Sequence, residues 1–183
     1  MSESCTQAHC CTAGAYSCSN KLRTIPPEIG YCTSLKRISF SNNELQSLPE
    51  SLAGCVELAA LDASRNSLQA LPSALFTCGS LRDLNVAHNQ LTQLHDLSGC
   101  VALAQLDASN NRLQSAHVAD CVALELLNLR NNCLTSIPYL PASSTLHTVQ
   151  LAFNKLSGPV DAQQLLGCAA LSVLELSGET VRQ

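Results

Sequence analysis

The stretch LRDLNVAHNQL at residues 81–91 sets apolar side chains at Leu81, Leu84, Val86 and Leu91 around a single Asn89. The same pattern stands upstream as LAALDASRNSL from Leu58 and LKRISFSNNEL from Leu35. Downstream it returns as LAQLDASNNRL from Leu103, LELLNLRNNCL from Leu124 and LHTVQLAFNKL from Leu146. Successive copies start 23, 23, 22, 21 and 22 residues apart. A seventh, LSVLELSGETV, begins 25 residues later at Leu171 and has Glu179 in the asparagine place. A period of this length marks a repeat architecture, in which each unit buries its apolar face only against its neighbours.

Within each copy, alternation at period two predicts a short strand with one set of side chains inward and the other outward. The inward pairs are Ile38 and Phe40, Leu61 and Ala63, Leu84 and Val86, Leu106 and Ala108, Leu127 and Leu129, and Val149 and Leu151. An asparagine column runs through Asn43, Asn66, Asn89, Asn111, Asn132 and Asn154. A side-chain amide both donates and accepts, so it can satisfy backbone groups where the chain leaves each strand. The return path is as regular. Ile29, Cys32 and Leu35 recur as Leu52/Cys55/Leu58, Leu75/Cys78/Leu81, Leu97/Cys100/Leu103, Val118/Cys121/Leu124 and Leu165/Cys168/Leu171, with Leu140/Ser143/Leu146 in the sixth repeat. A spacing of three suits a short helical or 3₁₀ turn on the convex side. Pro49, Pro72 and Pro138 mark the turn into that segment.

The composition agrees. A chain of 183 residues, 46% hydrophobic, can bury one continuous core, and with 3% aromatics and no Trp that core is built from Leu, Ala, Val and Cys. Ten Lys plus Arg against fourteen Asp plus Glu leave a net charge of −4, with no basic run, so neither nucleic acid nor an anionic membrane is an expected partner. No stretch approaches the roughly 18 apolar residues of a membrane span. The opening residues lack the apolar segment of a secretory signal, which sets the expectation of a cytoplasmic protein.

The six complete copies match LxxLxLxxNxL, and over roughly residues 12–183 the chain resembles the leucine-rich-repeat family. Segments such as IPPEIGYCTSLKRI and LPESLAGC look most like its intracellular, scaffold-like subclass. The resemblance implies an α/β repeat fold, a curved single parallel sheet with short helical or 3₁₀ turns on its convex side. It divides the chain into an N-terminal Cys-rich tail or cap over residues 1–20 and about seven repeats over 21–183.

Six of the eleven cysteines occupy the convex column, where a reduced thiol behaves as a small buried hydrophobe. Cys133 falls where a side chain should face solvent. The group Cys5, His9, Cys10, Cys11 and Cys18 leaves three readings open: a tail running into a degenerate first repeat anchored by Leu22 and Ile25, a disulfide cap, or a zinc site. The cap rests on resemblance to extracellular leucine-rich-repeat receptors, although Cys10 is one place late. The zinc reading lacks paired C-x2-C knuckles, and no metal or other cofactor is expected.

The resemblance also implies that outward strand positions form a concave face that grips a partner protein. The candidate contact residues are Arg37, Asp62, Arg65, Asp83, Asn85, His88, Asp107, Asn128, Arg130, Gln150 and Phe153. A further contact is expected at the terminal repeat, whose Leu174, Leu176 and Val181 would form an uncapped edge. No phosphate-cradling glycine loop, HExxH or GxSxG is present, and His9, His88, His95, His117 and His147 are scattered, so no enzyme activity is expected. The leading function is a cytosolic scaffold or adaptor. The alternatives are a permanent subunit of a large assembly, such as an axonemal or splicing complex, and an extracellular recognition module with a disulfide N-cap.

Alkylation without reductant decides the redox question. Denatured protein should take up label on all eleven cysteines; a deficit of four mapped to Cys5, Cys10, Cys11 and Cys18 would establish the cap instead.

Overall fold

Each apolar pair becomes one three-residue strand in the computed structural model, which describes residues 14–16, 20–94, 97–157, 165 and 167–177. The principal sheet has eight parallel strands in the order β1 (Gly14–Tyr16), β2 (Arg37–Ser39), β3 (Ala60–Asp62), β4 (Asp83–Asn85), β6 (Gln105–Asp107), β8 (Leu126–Asn128), β9 (Thr148–Gln150) and β10 (Val173–Glu175). Neighbours pair in the register of the repeat: Ile38 lies beside Leu61, Leu61 beside Leu84, Leu84 beside Leu106. The inward residues of β2, β3, β4, β6, β8 and β9 and their partners two places on are at most 4% exposed. The sheet starts before residue 21, the expected beginning of the repeats, because Ala15 pairs with Ile38. This puts Asn20, which stands 23 residues before Asn43, in the asparagine column of an additional first rung. The cysteine cluster from Cys5 to Cys18, and Val181, lie outside the described residues.

The asparagines tie each rung to the one before it. Asn89 accepts a hydrogen bond from the Leu68 N–H (2.9 Å) and donates to the carbonyls of Ala63, Val86 and Ala87 (3.0, 3.0 and 3.3 Å). Asn66, Asn111, Asn132 and Asn154 repeat both the backward acceptance and the backward donation. Asn43 likewise accepts from the Leu22 N–H (3.1 Å).

The convex side changes with repeat length. The 3₁₀ helices Pro27–Tyr31, Glu50–Gly54 and Ser73–Thr77 follow Pro26, Pro49 and Pro72, whose extended backbones set the entry. Glu50 reaches the next rung and accepts from the Ser73 and Ala74 N–H groups (3.2 and 2.9 Å), satisfying donors that a helix start leaves unpaired. These helices stack so closely that a Cβ on Gly54 would stand 2.3 Å from the Gly30 carbonyl oxygen. The next two rungs are one and two residues shorter than the 23-residue rungs and are bridged by a two-stranded parallel sheet, β5 (Gln93–Leu94) and β7 (Ser115–Ala116). The expected turns wind into 3₁₀ helices in the first three return paths, and in the two shorter rungs the same three-residue turns persist at Cys100 and Cys121 after a stretch of extended chain.

Cys32, Cys55, Cys78, Cys100, Cys121 and Cys168 are free thiols buried in the convex column. The Cys55 Sγ donates to the Ile29 carbonyl of the preceding rung (3.3 Å), and Cys100 and Cys168 do the same to Leu75 and Pro141 (3.6 Å each). Burial pushes the Cys78 and Cys168 thiols up, and burial together with neighbouring Cys78 pushes Cys100 up to about 11. These three thiols stay protonated and unreactive at neutral pH. Ser143 replaces the thiol in its rung and donates to the Val122 carbonyl at 2.8 Å. Cys133, expected to face solvent, is half-buried. In the last described rung, Leu174 and Leu176 are half-buried where their counterparts Leu84 and Val86 are fully buried. The edge strand is Val173–Glu175, so Leu176 lies just past it rather than within it. Among the described residues no helix is long and apolar enough to cross a membrane, and no group of His, Cys, Asp and Glu could hold a metal ion.

Leu84→Ala should destabilise the protein by about 2–5 kcal/mol and Asn89→Ala by about 1–3 kcal/mol, read from urea unfolding midpoints. A loss under half a kcal/mol at either position would contradict the register.

Candidate functional site

The concave face presents three strand columns and a rim. The first column carries Arg37 and Asp83, both exposed, with half-buried Leu126 and Thr148. The second carries Asp62, Asn85, Asp107, Asn128 and Gln150, all half-buried. The third was expected to face a partner but is almost closed: Ser41, Ser64, Ala87, Ser109 and Ala152 are buried. Its members sit where the chain turns from the strand toward the asparagine ladder, which admits only small side chains. Arg130 is the large residue of this column and is exposed.

The second column is built into the backbone. One side-chain oxygen of Asp62, Asn85, Asp107 and Asn128 accepts from the N–H two residues on, of Ser64, Ala87, Ser109 and Arg130, at 2.9–3.1 Å. Short polar side chains form such local turns readily. The remaining carboxylate oxygens are engaged as well, Asp62 by the Ser39 hydroxyl (3.4 Å) and Asp107 by the Asn128 amide (3.1 Å). These aspartates hold the strand ends and tie each rung to one neighbour, a role that their outward position alone did not reveal.

The rim is a column of left-handed residues. Asn42, Arg65, His88, Asn110, Asn131 and Phe153 all have φ between 54° and 58°. Asparagine tolerates this conformation; a bulky side chain is strained in it by about 1–2 kcal/mol. Three rungs accept that strain to place Arg65, His88 and Phe153 on the surface. The Asn131 amide donates to Asn110 Oδ1 (2.8 Å), and Asn110 Nδ2 lies 3.4 Å from His88 Nε2, so the rim is hydrogen-bonded across three rungs. Beyond it the Arg130 guanidinium stacks 4.6 Å from the centroid of the Phe153 ring, which is 43% exposed.

The convex side offers a hollow of about 870 Å³ where the chain leaves β7, lined by Gln114, His117, Asp120, Ser136 and Tyr139 among others. Tyr139 in this hollow and Tyr31 at the end of the first 3₁₀ helix are strongly exposed. Neither was among the expected contacts, because aromatics outside the strand columns have no periodic signal.

This arrangement defines a class: a parallel solenoid whose polar, outward strand faces form a continuous surface and whose interior is wholly structural. The leucine-rich-repeat family model matches residues 18–68 and 64–113, and the chain belongs to the leucine-rich-repeat family. No curated protein matches the sequence. Among solved structures, a leucine-rich-repeat protein of Leptospira interrogans is 28% identical over 85% of this chain and 40% of its own, with a TM-score of 0.78. A chain of the LRIM1/APL1C complex is 26% identical over 91% of this chain and 30% of its own, also at 0.78. The functional domain of InlJ from Listeria monocytogenes, described as including a cysteine ladder, shares the fold at 21% identity and a TM-score of 0.74, over 93% of this chain and 41% of its own. The chain thus spans less than half the length of these proteins. Leucine-rich-repeat proteins are in general non-enzymatic interaction modules.

Replacing the strained rim residues by asparagine should stabilise the fold. Arg65→Asn and His88→Asn are each expected to gain about 0.5–1 kcal/mol in the denaturant midpoint. A loss of stability in both would mean that these side chains make native contacts outweighing their strain.

Proposed function

We propose that this chain is a protein-binding module, a cytosolic scaffold or adaptor that grips a partner protein with its concave face. The observation that carries this reading is the Arg130–Phe153 pair, an exposed aromatic held in a left-handed conformation beneath a guanidinium. Strain of that kind concentrates at binding sites, and arginine and aromatic side chains dominate the energetics of interfaces. Arg37, Asp83, Arg65 and His88 share the same exposed face and extend the contact along it. The column of free thiols supports a reducing compartment. A neighbour solved as a two-protein complex, LRIM1/APL1C, supports a protein as partner. Half-buried Leu174 and Leu176 support a second contact through the last described rung.

The test is affinity capture from native extract with the wild-type chain and two variants. Proteins retained by wild type and by Tyr139→Ser on the convex side, but lost with the double change Arg130→Ala and Phe153→Ser, would support the concave face. Retention that survives the concave variant and fails with Tyr139→Ser would transfer binding to the convex hollow.

A further inference from the structure

The central carboxylates of the concave face are already engaged, whereas the cations of its rim are not. Asp62 and Asp107 each use one oxygen on a backbone N–H and the other on a side chain of an adjacent rung. Asp83 is exposed but stands in the first strand column, across the sheet from the rim. Among the described residues the ion pairs are Arg23 with Glu44 and Lys36 with Glu57, so neither Arg65 nor Arg130 has an acidic partner. Stacking on Phe153 holds the Arg130 guanidinium by its face and leaves its N–H edges open, the geometry that suits a carboxylate. Arg65 is held outward by a left-handed backbone that asparagine would occupy with less strain.

We propose that the cationic rim of Arg65 and Arg130, with Phe153 beside it, binds an extended acidic segment of a partner protein. The proposal rests on the concave-face reading and adds the partner's chemistry, which the net charge of −4 would otherwise suggest to be basic. Arg65 and Arg130 stand three rungs apart, a separation of about 14 Å at the usual strand spacing. An extended chain advances about 3.3 Å per residue, so the matching carboxylates lie about four residues apart. An apolar side chain one step further meets the exposed Phe153 edge. A long polyanion such as single-stranded nucleic acid is disfavoured, because fourteen acidic residues against ten basic ones repel it beyond the rim.

The full 183-residue protein would be used to select binders from a display library of random dodecapeptides, and the selected peptides titrated by fluorescence anisotropy. Enrichment of Asp or Glu pairs about four residues apart, with an apolar neighbour, is expected. Arg65→Glu and Arg130→Glu should each weaken these peptides by roughly tenfold or more, Arg130→Lys by less, and Tyr139→Ser on the convex side should leave them unchanged. Unchanged thermal unfolding of the charge-reversal variants would keep misfolding out of the comparison. A pool without acidic bias, no enrichment, or equal binding to both reversed variants overturns the proposal, as does comparable affinity for an oligothymidylate probe. Neutral or basic peptides that still depend on Phe153 would overturn the acidic partner while leaving the concave face as the binding surface. Peptides indifferent to every concave change would remove both.

Discussion

The whole molecule depends on one side-chain amide per rung. A solenoid must turn its chain sharply at the end of every strand, and each turn buries backbone groups that water cannot reach. The asparagine column meets that demand with a single residue type, donating to two or three carbonyls and accepting one N–H. Because the accepted N–H and one of the carbonyls belong to the preceding rung, the amide also sets the spacing between rungs. Leucine burial drives the stacking and, because side chains alternate between faces, resists a slip by one residue; the amide adds hydrogen bonds that the same slip would break.

Around that constraint the return path is free to vary. Twenty-three residues accommodate a five-residue 3₁₀ helix, and where one or two are lost the stretch ahead of the cysteine turn pairs as extended chain. The cysteine three residues before each repeat start is kept through both forms, since a thiol fits beneath either and can donate weakly to the rung before it. The rung that carries Ser143 instead engages its hydroxyl with the Val122 carbonyl and Thr145. This shows that the position asks for a small side chain able to give up a proton to a carbonyl, and not for sulfur as such.

Whatever repeats was legible in the sequence. The strand register, the inward pairs from Ile38 to Leu151 and the buried thiols all follow from a period that occurs many times over. The features that occur once or exploit irregularity were not. Asn20 was hidden because Ala15, in register with Ile38, is a poor stand-in for the leucines of the other rungs. Asp62 and Asp107 stand among the expected contacts by their outward positions, whereas their local turns with Ser64 and Ser109 depend on geometry that no spacing marks. Of the expected contacts, Arg65, His88, Arg130 and Phe153 do reach the surface, but the left-handed backbone that distinguishes three of them leaves no mark on composition or spacing.

The backward direction of the asparagine bonds makes the two ends of the solenoid inequivalent. The strand ladder loses main-chain bonds at either end alike, but of the asparagine bonds, removing a rung from the N-terminal side would leave only side-chain groups unpaired, and these can rotate toward solvent. Removing one from the C-terminal side would orphan a main-chain N–H and a carbonyl in the rung left behind, as Leu134 N–H and Leu129 oxygen would be without Asn154. Main-chain groups cannot turn away. Shortening from the front is therefore the gentler operation, and each rung acts as the keystone of the one before it.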